Sequence, residues 1–195
     1  KYRLWYQRGI DAQRPDFPSL IAYLESEITA LRPRKFMCVG TSSGGLVALA
    51  AGHALGADYV HAFAPQTFVD TSLAAIPRSR YKRSHLRLRF SRRSHREGLD
   101  ILPLLKVGNG KTRYYLHYCA GSQRDYEHAR RLAGLPGVVL MAYPCSAHAI
   151  GIFLAKKDFL KQTLDFANQD ELARRARAVF PDGLQIDGQD SVSSV

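Results

Sequence analysis

No run of about 18 apolar residues, the length a bilayer-spanning helix requires, occurs in this chain, so nothing in it spans a membrane. Cysteine is scarce. The three present, Cys38, Cys119 and Cys145, are odd in number and lack C-x-x-C spacing, which argues against both a disulfide framework and a zinc site. Buried free thiols are the expected state, and they favour a reducing, cytoplasmic setting. No metal-ligand cluster appears, and the glycine-rich turn described below lacks the lysine of a phosphate loop, so neither metal nor organic cofactor is implied. There is no internal repeat. Methionine is missing from the first position, Lys1, which leaves room for a signal or further N-terminal strands ahead of it. Acidic residues are missing from Pro77 to Arg96, a stretch that holds nine Lys or Arg.

That last absence locates the charge. The chain has 28 basic and 17 acidic residues, a net +11, but without the stretch 19 basic residues face 17 acidic ones. The basicity belongs to one insertion, about residues 66–110, and not to the domain. With 195 residues, 46% of them hydrophobic, the chain suits one domain with a real core.

The most informative stretch is Lys35 to Gly45, KFMCVGTSSGG. Phe36 to Val39 is a short apolar run and Leu46 to Leu55 a run of helix formers, so the segment predicts strand, tight turn, helix. Gly40-Thr41-Ser42-Ser43-Gly44 fits G-x-S-x-G, the nucleophile elbow, in which glycines relieve crowding around a serine on a strained turn. Spacing makes Ser42 the nucleophile and turns the backbone N–H of Ser43 toward a forming oxyanion. The bland alternative is a close strand-helix turn without chemistry.

Along the chain, Arg3 to Tyr6 predicts a strand, with Gly9 and Ile10 in its exit loop either as a second oxyanion donor or as a plain turn. Asp16-Phe17-Pro18 starts a helix whose apolar face is Leu20, Leu24, Ile28 and Leu31. Strands follow at 58–64, 112–120 and 137–143, the last taken as the final strand. A helix from Tyr126 to Leu132 separates the last two, and Ile150, Phe153, Leu154, Leu160 and Leu164 give the terminal helix its buried face. The expected domain is 1–168. Residues 169–195 are expected to form a charged helical stretch and a polar, disordered tail. The alternation predicts an α/β fold with a mostly parallel sheet flanked by helices.

Loops at strand C-termini carry Ser42, Asp125 and His148, in that order. With GTSSGG after a strand, GSQRD before a helix and SAHAI between last strand and last helix, the sequence resembles the α/β-hydrolase superfamily over about residues 3–168. The resemblance implies Ser42 as nucleophile, His148 as general base and then acid, and Asp125 as the group that orients His148. Read from the residues alone, the bland alternative for Asp125 is a helix cap, with Glu127 the alternative acid. No His-Gly oxyanion motif is present, and only one clear strand precedes the elbow.

Two functions follow. One is a serine hydrolase acting on an ester or thioester, or transferring the acyl group, with a small-molecule or carrier-bound acyl substrate. The resemblance places the basic insertion as a lid over its site. The other is a basic binding module on a hydrolase-like scaffold, with Arg87, Arg89, Arg92 and Arg93 meeting an acidic protein or polyanion. Nucleic acid is the less favoured partner, although Tyr81 and Phe90 among arginines would suit stacking. A solvated loop is the bland reading of the run.

Overall fold

The structure is a computed structural model and describes residues 10–68 and 100–188. The predicted strand at Arg3 to Tyr6, Gly9, and most of the basic insertion, with Arg87, Arg89, Arg92 and Arg93, lie outside the described residues.

Helix α1, Phe17–Leu31, begins with Asp16 as its cap: the Asp16 carboxylate accepts the N–H of Ser19, while the Ser19 hydroxyl faces the Asp16 backbone N–H. Only Leu20 of the expected face is buried, and Leu31 at the C-terminal end is 76% exposed. Strand β1, Met37–Thr41, leads through Ser42 into α2, Ser43–Leu55. Next come β2, Tyr59–Phe63, a short α3, Leu102–Val107, and β3, Arg113–Cys119. Helix α4, Gln123–Arg130, then leads to β4, Val138–Tyr143.

The predicted terminal helix is broken. Asp158 takes a positive φ of 53° and Phe159 turns fully into the core, so the segment divides into α5, Ile150–Lys156, and α6, Leu160–Thr163. A 3-10 turn, Phe166–Glu171, precedes α7, Leu172–Val179. Two expectations are corrected here. Strand β4 is not the last, because β5, Gln185–Asp187, pairs with it antiparallel, and Phe180, Leu184 and Ile186 pack on the core. Nor does the domain stop at residue 168, since Gln169, Leu172 and Ala176 are buried in that same core.

The sheet runs β1-β2-β3-β4-β5, parallel except for the last pair. Strands β2, β3 and β4 are buried along nearly their whole length, as parallel strands covered on both faces must be, and this explains their unbroken apolar runs. One face carries Val60, Tyr114, Leu116 and Leu140 against Leu46 and Leu49 of α2, Leu105 of α3 and Leu132. The other carries Phe63, Tyr115, Met141 and Tyr143 against Ile150, Leu154, Phe159, Leu172 and Phe180. A fully buried leucine such as Leu49 contributes on the order of 2 kcal/mol.

The free-thiol expectation is also corrected, because Cys119 and Cys145 form a disulfide and only Cys38 is free. Burial pushes the Cys38 thiol up to about 11. With two of three cysteines bonded, the argument for a reducing compartment loses its basis. No helix among the described residues is long and apolar enough to cross a membrane.

Candidate active site

The parallel register aligns Gly40 with Ala62, Ala62 with Leu116 and Leu116 with Leu140. The strands therefore end together, and the turn after β1 and the loops after β2, β3 and β4 share one edge.

At the first of these, Ser42 sits at φ 56° and ψ −119°, a conformation an L-residue holds only against strain. Its backbone is fixed from the next strand: the Ser42 N–H donates to Phe63 O at 2.9 Å, and Ser42 O accepts the Gln66 N–H at 3.1 Å. The glycines are not equivalent. A Cβ on Gly40 would lie 2.1 Å from Gly44 O and one on Gly45 2.8 Å from the Pro65 Cβ, whereas one on Gly44 would meet nothing within 4 Å. The crowding is thus at Gly40 and Gly45, outside the second glycine of the motif.

After β3, Ser122 caps α4 with its hydroxyl, which starts the helix three residues before the predicted Tyr126 and puts Asp125 in the first turn. Asp125 is only 1% exposed. After β4, His148 projects from loop 144–149 with its side chain 34% exposed. His148 Nδ1 lies 2.8 Å from Asp125 Oδ1, and His148 Nε2 lies 3.1 Å from Ser42 Oγ. A carboxylate only accepts, so Nδ1 carries the proton and donates to Asp125, which leaves Nε2 to accept the Ser42 hydroxyl. Such an arrangement can take a proton from Ser42 Oγ and return it to a leaving group.

The competing residues are engaged elsewhere. Glu127 accepts from Gln123 and, at 2.6 Å, from Arg130 on the surface of α4. His53 pairs with Tyr114 Oη at 2.8 Å, and His61 and His117 face each other in the core at 3.0 Å. His128 accepts the Thr67 N–H, while His85 and His95 lie outside the described residues. For an oxyanion, Ser43 as first residue of α2 has no intrahelical acceptor for its N–H. The Ile10 expectation is corrected: its N–H is spent on Arg14 O at 3.0 Å, in a turn that Asp11 also closes. No group of three or more His, Cys, Asp or Glu residues able to hold a metal occurs among the described residues.

Two features escape sequence reasoning. Gln66 is 1% exposed, and neither polar atom of its carboxamide has a partner; Asp125 Oδ2 is likewise buried and unpaired. The disulfide is the other. Its signal is two cysteines at the C-terminal ends of consecutive parallel strands, which become neighbours once strand order is known.

No protein-family description matches this sequence, and no curated protein does. Among solved structures, the capsule O-acetyltransferase of Neisseria meningitidis serogroup A superposes with a TM-score of 0.50 at 16% identity, over 74% of this chain and 63% of that one. The fold is α/β, a mostly parallel five-stranded sheet flanked by helices. An α/β-hydrolase enzyme from the metagenome of sediments of the Mar Chica lagoon, Morocco, superposes with a TM-score of 0.47 at 14% identity, over 84% and 77% of the two chains. The chain spans 63% of the length of the acetyltransferase, and at 16% identity the likeness is one of fold.

Proposed function

We propose that this protein cleaves an ester or thioester through an acyl-enzyme on Ser42, with His148 as general base and acid and Asp125 as its orienting carboxylate. One observation carries the reading: the unbroken hydrogen-bond chain from Ser42 Oγ through His148 to Asp125, at 3.1 and 2.8 Å, with Ser42 held at a positive φ. As Oγ attacks the acyl carbon, its proton passes to His148 Nε2, and the imidazolium is stabilised by the buried Asp125 carboxylate. The oxyanion faces the Ser43 N–H. Collapse expels the alcohol or thiol, which takes the proton from Nε2, and water or an acceptor hydroxyl then releases the acyl group by the same steps in reverse order. Because a protein named as an O-acetyltransferase shares the fold, acyl transfer to a hydroxyl stands beside hydrolysis.

The basic insertion supplies recruitment in this reading. Nine cations within twenty residues between Pro77 and Arg96 would draw an acidic acyl carrier or a polyanionic substrate toward the protein. The test is labelling with a fluorophosphonate, which requires an activated serine, followed by mapping of the modified peptide. Label is expected on Ser42 alone. Ser42→Ala should abolish labelling and lower turnover by about 10⁴ to 10⁶-fold while leaving the circular dichroism spectrum intact. Labelling of the Ser42→Ala variant at another serine would refute the assignment.

A further inference from the structure

The acid and the histidine of the proposed site stand on very different ground. Asp125 belongs to a capped helix, is buried, and follows β3, whose last residue Cys119 is fully buried. His148 belongs to a loop in which no side chain is buried between Tyr143 and Ile150. The helix after that loop, α5, has Ala149 at its cap position and no side-chain cap. Apart from the half-buried Cys145, which packs against the core, apolar side chains therefore do not fix loop 144–149.

What ties the loop to the acid side is a short set of links, and Cys145 is at their centre. Its sulfur is bonded to Cys119, its carbonyl accepts the Gly121 N–H at 2.9 Å, and just before it Tyr143 O accepts the Ala120 N–H at 2.8 Å. The approach is close enough that a Cβ on Gly121 would lie 3.1 Å from both Cys145 O and Ser146 Cβ. The two half-cystines thus stand six residues before Asp125 and three before His148.

We propose that the Cys119–Cys145 disulfide is a positioning pair, which holds the His148 loop in register with Asp125 and makes the activity of the site depend on thiol redox state. The proposal rests on the Ser42 reading for its activity consequence and on geometry alone for its structural one. The reaction is an exchange with a dithiol. A reductant thiolate attacks one sulfur of the pair, the mixed disulfide is resolved by the second reductant thiol, and the products are two protein thiols and the oxidised, cyclic reductant. Two electrons and two protons are transferred to the pair. Cys145 is partly exposed, which gives a reductant access. Once the bond is broken, the backbone tie of loop 144–149 to the acid side is the single Gly121 N–H bond to Cys145 O, and the His148 bonds to Asp125 and Ser42 are left to hold the side chain in place. Displacements near 1 Å between general base and nucleophile cost about 10²-fold in rate.

The experiment compares the full-length chain oxidised, reduced with dithiothreitol, and reoxidised, together with Cys119→Ala/Cys145→Ala. Thiol titration verifies the redox state and far-UV circular dichroism the fold. The spectroscopic readout is the low-field proton resonance of the His148 Nδ1–H···Asp125 hydrogen bond. The kinetic readout is turnover of p-nitrophenyl acetate, with kcat and KM separated. Reduction should abolish the resonance and lower kcat about 10²-fold with KM little changed, and reoxidation should restore both. The double variant should match the reduced protein and ignore dithiothreitol.

An unchanged resonance in fully reduced, folded protein would overturn the proposal, as would its absence from the oxidised protein. Loss of the whole fold on reduction, shared by the double variant, would overturn it too, by making the bond a general staple. If the oxidised protein neither takes fluorophosphonate nor turns over ester, the Ser42 reading has failed, and the resonance decides the positioning claim alone.

Discussion

Acid should unfold this protein through two imidazoles that take no part in the proposed chemistry. His61 on β2 and His117 on β3 are fully buried, and Gln169 closes one end of their chain. Both hydrogens of the Gln169 amide nitrogen are used, on Thr163 O and Asp165 O, so Oε1 must accept from His61 Nε2–H at 2.9 Å. His61 Nδ1 is then bare and accepts His117 Nε2–H at 3.0 Å. His117 Nδ1 in turn accepts from Tyr143 Oη at 3.0 Å. Every group is satisfied when both rings are neutral, and an added proton would set two donors face to face. Burial holds His61 down at about 4, and burial together with the charge of His61 holds His117 well below its usual range.

A base depressed on folding is worth most where it is neutral in both states, so this stability is complete above the unfolded value of about 6.5 and is lost as pH falls from there toward 4. For His61 alone the fall from 6.5 to about 4 amounts to roughly 3 kcal/mol, about 2 of it gone by pH 5. Urea unfolding at pH 7 and pH 5 measures the loss directly. Equal unfolding free energies at the two pH values, or ring resonances of His61 and His117 that titrate between them in the folded protein, would refute the neutral-chain argument.

Asp125→Asn should keep the fold but favour the wrong tautomer of His148, lowering kcat by about 10⁴-fold in ester turnover. Gly40→Ala forces a methyl onto the backbone of Gly44 and should abolish fluorophosphonate labelling with a destabilisation of about 1–3 kcal/mol in thermal melts. Gly44→Ala, with open space around its added carbon, should remain within about 0.5 kcal/mol of the parent. Neutralising Arg87, Arg89, Arg92 and Arg93 together should lower kcat/KM for an anionic substrate and remove most of its salt dependence, since steering charges are screened over about 10 Å at 0.1 M salt. Turnover of a neutral ester by that variant should match the parent.

The sheet is legible in the sequence because strands covered on both faces must be apolar at every position, as YVHAF and VVLMAY nearly are. The turn at Ser42 is legible because a strained strand-to-helix turn leaves a composition that few other structures require. The disulfide is hidden, since pairing depends on which strands are neighbours, and spacing along the chain does not say. Strand β5 is hidden for another reason: QID is three residues long with two of them exposed, and it becomes a strand only because β4 offers an edge. The break at Asp158 escapes helical periodicity, as Phe159 leaves the helix to fill the core. Ile10 escapes because a local turn takes its N–H before any site can.

The buried histidines and the candidate site share their supports. Ser42 is held through Phe63 O, two residues along β2 from His61, and the Ala64 N–H donates to His117 O at 2.7 Å. Ala64 itself is kept at a positive φ of 44°, a conformation that persists only while its surroundings impose it. On β3, Cys119 lies two residues beyond His117 on the same face of the sheet and carries the bond to the His148 loop. Protonating the imidazole pair would therefore loosen the strand ends that fix Ser42 and the disulfide together. Loss of activity on acidification should then coincide with loss of near-UV dichroism from the tyrosines packed on that face. Activity that falls while the near-UV signal stays constant would separate the two and place acid sensitivity in the site itself.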